Sequence, residues 1–208
     1  GIAMYTYNSD SEEVAEEIFI PTEIPYEILK NSVGSLFCLS GDNTLYIMMD
    51  HYLYRMALDR DEAEMVADGL TEGTYVIHTD GRIIAWQEGS KVNDAKKITV
   101  LNMETGVTYT VNAAPGCCIK VLGFLNGQLV YGQGKEGDIY EEQSGAQHLL
   151  MTDMYVINSS NIIETETDSG DGYFYDSVNE YNRVILKKVV PSWDGYETIP
   201  AWIIEGYL

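Results

Sequence analysis

Positive charge is scarce in this sequence. The 208 residues include 12 lysines and arginines but 33 aspartates and glutamates, which gives a formal net charge of −21 at pH 7. Binding to a nucleic-acid backbone or to an anionic membrane surface depends on clustered basic side chains. We therefore expect neither a nucleic acid nor an anionic membrane surface as a partner.

Long hydrophobic runs are also missing. No stretch approaches the roughly 18–20 apolar residues that a membrane-spanning helix needs. No positively charged segment followed by a hydrophobic stretch marks a signal peptide. Because the chain opens with Gly1 and not with an initiator methionine, we interpret its start as trimmed, so the missing signal carries little weight. We expect an extracytoplasmic or cell-surface location without membrane insertion.

Cysteine and histidine are rare, with three of each. Cys38 stands alone and Cys117-Cys118 are adjacent, so neither a disulfide framework nor CxxC spacing is present. Two adjacent cysteines can form a strained disulfide, but we favour burial of Cys118 as a small hydrophobic residue. The histidines share no metal-ligand spacing. We expect no metal and no organic cofactor.

Acidic turns are the weak candidates for a metal site. Asp168 and Asp171 lie in a tight Asp-Ser-Gly-Asp-Gly loop that supplies the oxygen ligands calcium prefers. Glycine occupies a position where a ligand is needed, and aspartate and glycine are ordinary turn residues. The same reasoning applies to Asp59, Asp61 and Glu62. We assign no metal ligand to any of them.

Catalytic signatures do not occur. The sequence contains no Gly-x-Ser-x-Gly elbow, no Walker loop and no GxGxxG motif after a strand. The glycines between Gly132 and Gly137 follow a predicted strand and surround a glutamate, which indicates a loop and not a phosphate-binding site. No catalytic residue is assigned.

What the sequence does contain is a repeated unit of short strands and tight turns, seen best between Thr74 and Val111. Asp80-Gly81 separates two β-branched and aromatic runs, which is a strong hairpin signal. Residues 107–111 alternate between apolar and polar side chains, as in a half-exposed strand. Residues 83–86 are all apolar, as in a strand covered on both faces. Buried inner strands and a half-exposed outer strand are typical of a propeller blade.

The unit recurs along the chain. Turns at Asn43, Gly81, Gly127 and Gly172 are 38, 46 and 45 residues apart, which is propeller spacing. We predict an all-β protein, a complete or partial β-propeller of about four to five four-stranded antiparallel blades. The approximate blades are residues 35–70, 73–114, 117–151 and 153–204, within a repeat region of residues 35–208. The residues predicted to be buried between blades are Ile83, Ile84, Trp86, Val100, Leu129 and Tyr131.

Residues 1–34 differ from the repeats. Acidic residues after Ser11 predict a short helix near Ser11–Glu17, because carboxylates favour the first turn of a helix. Residues 18–20 and 26–29 are predicted to be extended, separated by prolines. This segment is interpreted as outer strands that close a ring or, alternatively, as part of an arc of a larger propeller.

The segment HYLYRMALDRDEAEMVADGL, residues 51–70, resembles the aromatic-aliphatic-Tyr-Arg-x-x-Leu-Asp pattern of TolB-like and low-density-lipoprotein-receptor-like propellers. It is most similar to the uncharacterised bacterial members of this class. Tyr54, Arg55, Leu58 and Asp59 carry the resemblance, and later units keep only its outline. The resemblance implies a propeller fold and a habit of binding partners. It implies no catalytic residue.

Aromatic side chains provide the candidate binding surface. Most of them are expected in the core between blades. Trp193, in a Pro-Ser-Trp-Asp-Gly loop, and Tyr173 and Tyr175, on one strand, are the candidate ligand-binding residues, as a sugar platform or a protein-contact anchor. The favoured function is a non-catalytic binding or scaffold propeller of a larger bacterial extracytoplasmic protein, contacting a protein or a glycan through its loops. A carbohydrate-active hydrolase or lyase with carboxylates at the propeller axis is one alternative, and a purely structural module is the other.

Overall fold

The described part of the chain is all-β with one short helix. The computed structural model describes residues 2–20, 22–32, 36–58, 63–89 and 91–206. Asp59, Asp61 and Glu62 therefore lie outside the described residues. The chain divides into two compact units, one made of residues up to Leu70 with Met103–Thr105, the other of Thr71–Asn102 and the residues from Gly106 onward. The predicted fold class, four-stranded antiparallel sheets of the propeller-blade kind, is confirmed.

The first unit contains a hairpin, a helix and one four-stranded sheet. Its elements are β1 (Ile2–Asn8), β2 (Glu13–Ile20), α1 (Tyr26–Ser32), β3 (Phe37–Leu39), β4 (Thr44–Met49), β5 (Tyr52–Ala57) and β6 (Ala63–Ala67). Strands β1 and β2 pair only with each other, and β3 to β6 follow one another in a meander. Leu29 of the helix joins a core formed with the buried face of β4 and β5.

A short N-terminal helix is present, but at Tyr26–Ser32 and not near Ser11–Glu17. The acidic segment forms strand β2 because Asn8 starts a tight turn: its Oδ1 accepts the N–H groups of Asp10 and Ser11. The helix begins after a proline, whose carbonyl accepts the N–H groups of residues 28 and 29. Residues 26–29, predicted to be extended, are therefore helical.

The second unit contains three successive sheets and an added hairpin. Its strands are β7 (Tyr75–Ile77), β8 (Ile83–Gln87), β9 (Lys97–Asn102), β10 (Thr108–Asn112), β11 (Cys117–Leu125), β12 (Gln128–Lys135), β13 (Ile139–Glu141), β14 (Gln147–Leu149), β15 (Asp153–Ile157), β16 (Ile163–Asp168), β17 (Tyr173–Glu180), β18 (Arg183–Ser192) and β19 (Gly195–Glu205). The sheet orders are β10-β9-β8-β7, β11-β12-β15-β16 and β17-β18-β19, and β13 pairs only with β14.

The middle sheet is covered on both faces. Alternate residues of β11 and β12, such as Ile119 and Leu129, pack with the β8–β10 side. The intervening residues, such as Cys118 and Val130, pack with the β17–β18 side. Strands whose residues are apolar on both faces are typical of a sheet that is covered on both sides. Of the six predicted core residues, five are buried; Ile83 is only half-buried, so that part of the prediction is wrong.

Strand membership differs from the predicted blades 117–151 and 153–204. Residues 153–168, predicted to begin a new blade, form β15, which pairs with β12, and β16, which pairs with β15. Asp171-Gly172 therefore joins two sheets, and the inner hairpin turn of the last sheet is Tyr181-Asn182. The reason is that residues 136–150 leave the middle sheet, form the β13–β14 hairpin and return. The division into residues 1–34 and 35–208 stays a prediction.

Two glycines of strand β12 allow residues 150 and 151 to lie close to that strand after the β13–β14 hairpin. Gly132 and Gly134, predicted to lie in a loop, belong to strand β12. A Cβ on Gly134 would meet the carbonyl oxygen of Leu150, and one on Gly132 would meet the side chain of Met151. The returning chain can lie this close only because neither glycine has a side chain. No helix in the described part of the chain is long and apolar enough to cross a membrane.

Candidate functional site

An open depression lies between the β13–β14 hairpin and the β18–β19 turn, and we call it the aromatic depression. Its volume is about 610 Å³, within the range of small-ligand sites. The residues that line it are Ile139, Tyr140, Glu141, Glu142, Gln143, Ser144, Tyr175, Asp194, Gly195, Tyr196 and Thr198. All of them belong to the second unit, with one wall from the β13–β14 hairpin and the other from the last sheet.

The hairpin that forms one wall is fixed by its own turn. Gly145 has a φ of 84°, which a residue without Cβ adopts readily. Its N–H donates to the carbonyl of Glu142, and the Glu142 N–H donates to the carbonyl of Ala146. The Ser144 hydroxyl donates to Glu142 Oε2. The turn therefore places the Glu142 carboxylate at the edge of the depression.

Aromatic rings from four strands meet behind this wall. Tyr140 contacts Tyr175 edge-to-face with 5.1 Å between ring centroids, and Tyr196 with 5.7 Å. His148 contacts Tyr175 at 5.2 Å, and Tyr173 contacts Tyr196 at 6.0 Å. Edge-to-face contacts of this kind stabilise ring positions beyond simple burial. The rings of the depression are therefore held in place before a ligand arrives.

His148 is the polar member of this ring cluster. Its Nε2 atom is buried and has no hydrogen-bond partner. Glu142 Oε1 is 3.4 Å from that nitrogen, but the geometry is not that of a hydrogen bond. Burial and the Lys120 charge lower the pKa of His148. The imidazole is therefore neutral near pH 7, and it contributes a ring contact to the cluster and no positive charge.

Lys120, Asp176 and Lys187 form a charge network next to the ring cluster. Lys120 has a side chain only 5% exposed, and its Nζ lies 3.5 Å from Asp176 Oδ1. The same ammonium donates to the Tyr175 carbonyl, and Lys187 donates to Asp176 Oδ2 at 2.8 Å. Burial lowers the pKa of Lys120. Burial opposes ionisation of Asp176 as well, but the two lysines outweigh it and lower the pKa of that carboxyl. The network thus anchors the backbone of Tyr175.

The tyrosine hydroxyl at the centre stays protonated. Burial raises the pKa of Tyr175, and the Lys187 charge offsets only part of that effect. Burial likewise raises the pKa of Tyr196. Both phenols can therefore donate hydrogen bonds over the whole neutral range.

The sequence-predicted binding residues are partly brought together. Tyr175 is buried in the depression wall and Tyr173 reaches the cluster through Tyr196. Trp193 is 96% exposed in the adjacent turn and does not line the depression. Sequence reasoning missed Tyr140 and His148. The one sequence feature that could have pointed to them is the Gln143-Ser144-Gly145 turn between two very short predicted strands, each of which carries one of these ring side chains.

The metal candidates Asp168 and Asp171 do not form a ligand cluster. Asp168 Oδ1 accepts the N–H of Gly170, and the Ser169 hydroxyl donates to the Gly172 carbonyl. Across the described ranges, no group of three or more His, Cys, Asp or Glu side chains is placed to hold a metal ion. The expectation that no metal is needed stays a prediction.

The three cysteines are free thiols. Cys118 is fully buried in the core between the middle sheet and the last sheet, as predicted for a small hydrophobic residue. Its Sγ lies 3.3 Å from the ammonium of Lys96. Burial nevertheless raises the pKa of the Cys118 thiol, because it outweighs the effect of that lysine. The thiol is therefore unreactive at neutral pH.

No protein-family model matches the chain, and no curated protein matches it. Among solved structures the chain is similar to Porphyromonas gingivalis dipeptidyl peptidase 4, with 8% identity and a TM-score of 0.30. That likeness covers 98% of this chain and 43% of the peptidase, so the chain spans less than half of it. A chain of a mitotic checkpoint complex is similar with 10% identity and a TM-score of 0.22, over 83% of this chain and 79% of that one. At TM-scores this low neither likeness bears on function. The resemblance of residues 51–70 to TolB-like propellers stays a prediction.

Proposed function

We propose that this chain is a non-catalytic binding module of a larger bacterial extracytoplasmic protein, and that its ligand is a protein segment carrying lysine or arginine. The aromatic depression is the proposed binding site. The observation that carries the proposal is the combination of tyrosine walls with three lining carboxylates, Glu141, Glu142 and Asp194. No lysine or arginine is among the described residues that line the depression.

The hydrogen bonds of these carboxylates come from neutral groups. Glu141 accepts from the Gln147 amide, and Asp194 accepts from the Ser192 hydroxyl. A cation that enters the depression therefore meets Glu141 and Asp194 bonded to neutral groups alone, whereas the Glu142 charge already interacts with the Lys187 ammonium. A Lys or Arg side chain also has an apolar stem that covers aromatic surface, and its charge is attracted by a ring face. The net charge of −21 would steer such a partner toward the protein.

The alternative of a carbohydrate hydrolase requires one carboxyl kept protonated near neutral pH. In the described part of the chain, the carboxyls with a clearly shifted pKa are Asp42, Asp80, Glu88 and Asp176, and each pKa is lowered. A lowered pKa favours the ionised form, which cannot protonate a leaving group. None of these four carboxyls lines the aromatic depression, and their ionisation gives the hydrolase alternative no support.

The experiment uses small probes that carry one side chain each. Nα-acetyl-lysine methylamide and Nα-acetyl-arginine methylamide are titrated into ¹⁵N-labelled protein, with the norleucine analogue as a neutral probe of similar shape. We expect saturable amide shifts at Glu142, Ser144 and Tyr196 with the two cations, and none with norleucine. Higher salt should weaken both cations, because the attraction is partly screened.

Two variants test the site and one serves as the matched control. Glu142→Gln removes one lining charge and Tyr196→Ala removes one ring, and each should weaken binding by about tenfold. Asp10→Asn removes an exposed charge that does not line the depression, and it should leave binding unchanged. Shifts spread evenly over the acidic surface, or equal binding of norleucine, would contradict the proposal. Saturable binding of a neutral sugar at these residues would favour a glycan ligand instead.

A further inference from the structure

Three hairpin turns from the three successive sheets of the second unit meet at one end of those sheets. They are the β7–β8 turn at His78–Asp80, the β11–β12 turn at Asn126-Gly127 and the β17–β18 turn at Tyr181-Asn182. An open depression of about 560 Å³ lies among them, and we call it the turn-end depression. It shares no lining residue with the aromatic depression.

One side of the turn-end depression is braced by hydrogen bonds. The Asn126 N–H donates to Asn182 Oδ1 at 3.1 Å, and Asn182 Nδ2 donates to the Gly206 carbonyl at 2.8 Å. The Gly206 N–H in turn donates to the Asn182 carbonyl. Two turns and the end of β19 are thereby joined, so this wall is formed in the free protein.

Tyr181 occupies a backbone position that is costly for its residue type. Its φ is 44°, in the left-handed region, and it is the first residue of a two-residue turn where glycine is favoured. A bulky residue there is an outlier. Its side chain is 82% exposed and makes no hydrogen bond, ion pair or ring contact within the part of the chain that the structure describes. Nothing in the fold therefore explains why a tyrosine stands here.

The opposite side of the depression carries a histidine held by a carboxylate. His78 Nδ1 lies 2.7 Å from Asp80 Oδ1, and the ring rests edge-to-face on Phe124. Asp80 Oδ1 also accepts the N–H of Arg82. The carboxylate is already engaged, so this side offers a fixed imidazole and the hydroxyl of Thr79, not an unbalanced charge.

These features select one ligand class. Anions are disfavoured, because no lysine or arginine is among the described residues that line the depression. The two arginines beside it already interact with carboxylates, Arg82 with Asp80 and Arg183 with Glu205 at 2.8 Å. Cations find no unengaged carboxylate on the Asp80 side. A pyranose ring has an apolar face for an aromatic ring and hydroxyls for neutral donors and acceptors. We propose that the turn-end depression binds a neutral oligosaccharide, with the exposed Tyr181 ring as the platform on which one sugar stacks.

A second depression extends the site along the same ring. It has a volume of about 400 Å³ and shares Tyr181 and Asn182 with the first. Tyr181 therefore lines both open spaces. An oligosaccharide of several units can occupy both, with the stacked sugar at the centre.

The test is calorimetric titration of the whole chain with neutral tetrasaccharides: malto-, cello-, xylo- and N-acetylchito-tetraose, with a tetra-uronate as the charged comparison. We expect saturable binding of at least one neutral sugar and none of the uronate. Tyr181→Gly should weaken that binding by about tenfold or more. Tyr181→Phe should retain it. Tyr7→Ala removes another exposed tyrosine and should leave it unchanged.

A stability measurement separates a functional tyrosine from an incidental one. Glycine adopts positive φ without strain, so Tyr181→Gly should melt about 2–4 °C higher than the parent protein while binding is lost. Absence of binding to all four neutral sugars, tighter binding of the uronate, or unchanged binding by Tyr181→Gly would each overturn the proposal. Glu142→Gln should have no effect on this binding, so failure here and failure at the aromatic depression can be told apart.

Discussion

Replacing Asp176 with asparagine should destabilise the protein far more than replacing the lysine that Asp176 holds. Lys120 is buried, and its ammonium has two partners: the Asp176 carboxylate at 3.5 Å and the Tyr175 carbonyl at 3.3 Å. Asp176→Asn leaves that ammonium buried without an opposite charge. Lys120→Met leaves Asp176 paired with Lys187 at 2.8 Å. The two single variants are therefore not equivalent.

The magnitude follows from the distance. At 3.5 Å and an effective dielectric constant of about 20, the attraction between Lys120 and Asp176 is about 5 kcal/mol. The Asp176 side chain is 27% exposed, so water can reach the vacated position and return part of that energy. Removing one partner of a buried pair costs about 3–5 kcal/mol in general. We expect a loss of about 2–4 kcal/mol for Asp176→Asn and a change within about 1 kcal/mol for Lys120→Met.

Urea denaturation at pH 7, followed by circular dichroism and by tyrosine fluorescence, measures both free energies of unfolding. The double variant Lys120→Met with Asp176→Asn should recover most of the stability that Asp176→Asn loses. Equal and small effects of both single variants would refute the reasoning. That result would mean that the Lys120 ammonium reaches water in solution.

The alkaline pH dependence gives a second readout. Burial lowers the pKa of Lys120 in the folded state below its ordinary value of 10.5. The unfolded chain therefore binds more protons than the native one as the pH rises toward 10.5, and stability from this group increases with pH in that window. Without Asp176 the folded pKa should fall further. The increase should then begin at a lower pH in Asp176→Asn than in the parent protein.

Two further predictions concern the returning chain and the acidic loop. Gly134→Ala should destabilise the protein by about 3 kcal/mol or more in urea denaturation, since a Cβ there would collide with the Leu150 carbonyl oxygen; Gly41→Ala, at a position with open space, should be nearly neutral. Chelator treatment should leave the melting temperature unchanged, and elemental analysis after dialysis should find no stoichiometric metal; a bound metal whose removal lowers the melting temperature would contradict this, and Asp168→Asn and Asp171→Asn would then locate it.

Local turn chemistry made most of the fold predictable. Asn126-Gly127 joins β11 and β12 by a two-residue turn as expected, because both residues adopt the positive φ that such a turn needs. Asp80-Gly81 also lies between paired strands, but in a longer turn between Ile77 and Ile83 in which Gly81, and not Asp80, has positive φ. The helix near Ser11–Glu17 was wrong because helix propensity is weaker than a hairpin that pairs seven residues on each side. The order of strands in the last two sheets could not be predicted. It depends on where residues 136–150 return, and that is a long-range contact.

The candidate site was less predictable than the fold. Tyr173 and Tyr175 could be selected because a run of aromatics cannot all face one core. Tyr140 and His148 face each other across the β13–β14 hairpin, but Tyr175 and Tyr196 come from distant strands, so their contacts with that hairpin arise only from tertiary packing. The backbone conformation of Tyr181 gave no sequence signal at all, because its tyrosine stands where the turn pattern calls for glycine.

The hairpin of strands β13 and β14 has a consequence for how binding preference can diversify. It is paired only with itself, and the middle sheet closes from β12 to β15 without it. Insertions, deletions and exchanges within the hairpin tip, residues 142–146, can therefore change the mouth of the aromatic depression while every ladder of the three sheets is kept. The tolerance ends at Gln147 and Leu149, whose backbone groups bond to Asn93, and Leu149 is fully buried in the core. Leu150 and Met151 then lie close against Gly134 and Gly132. Natural variation and protein engineering can therefore both alter the tip of this hairpin, but not the residues by which the chain rejoins the middle sheet.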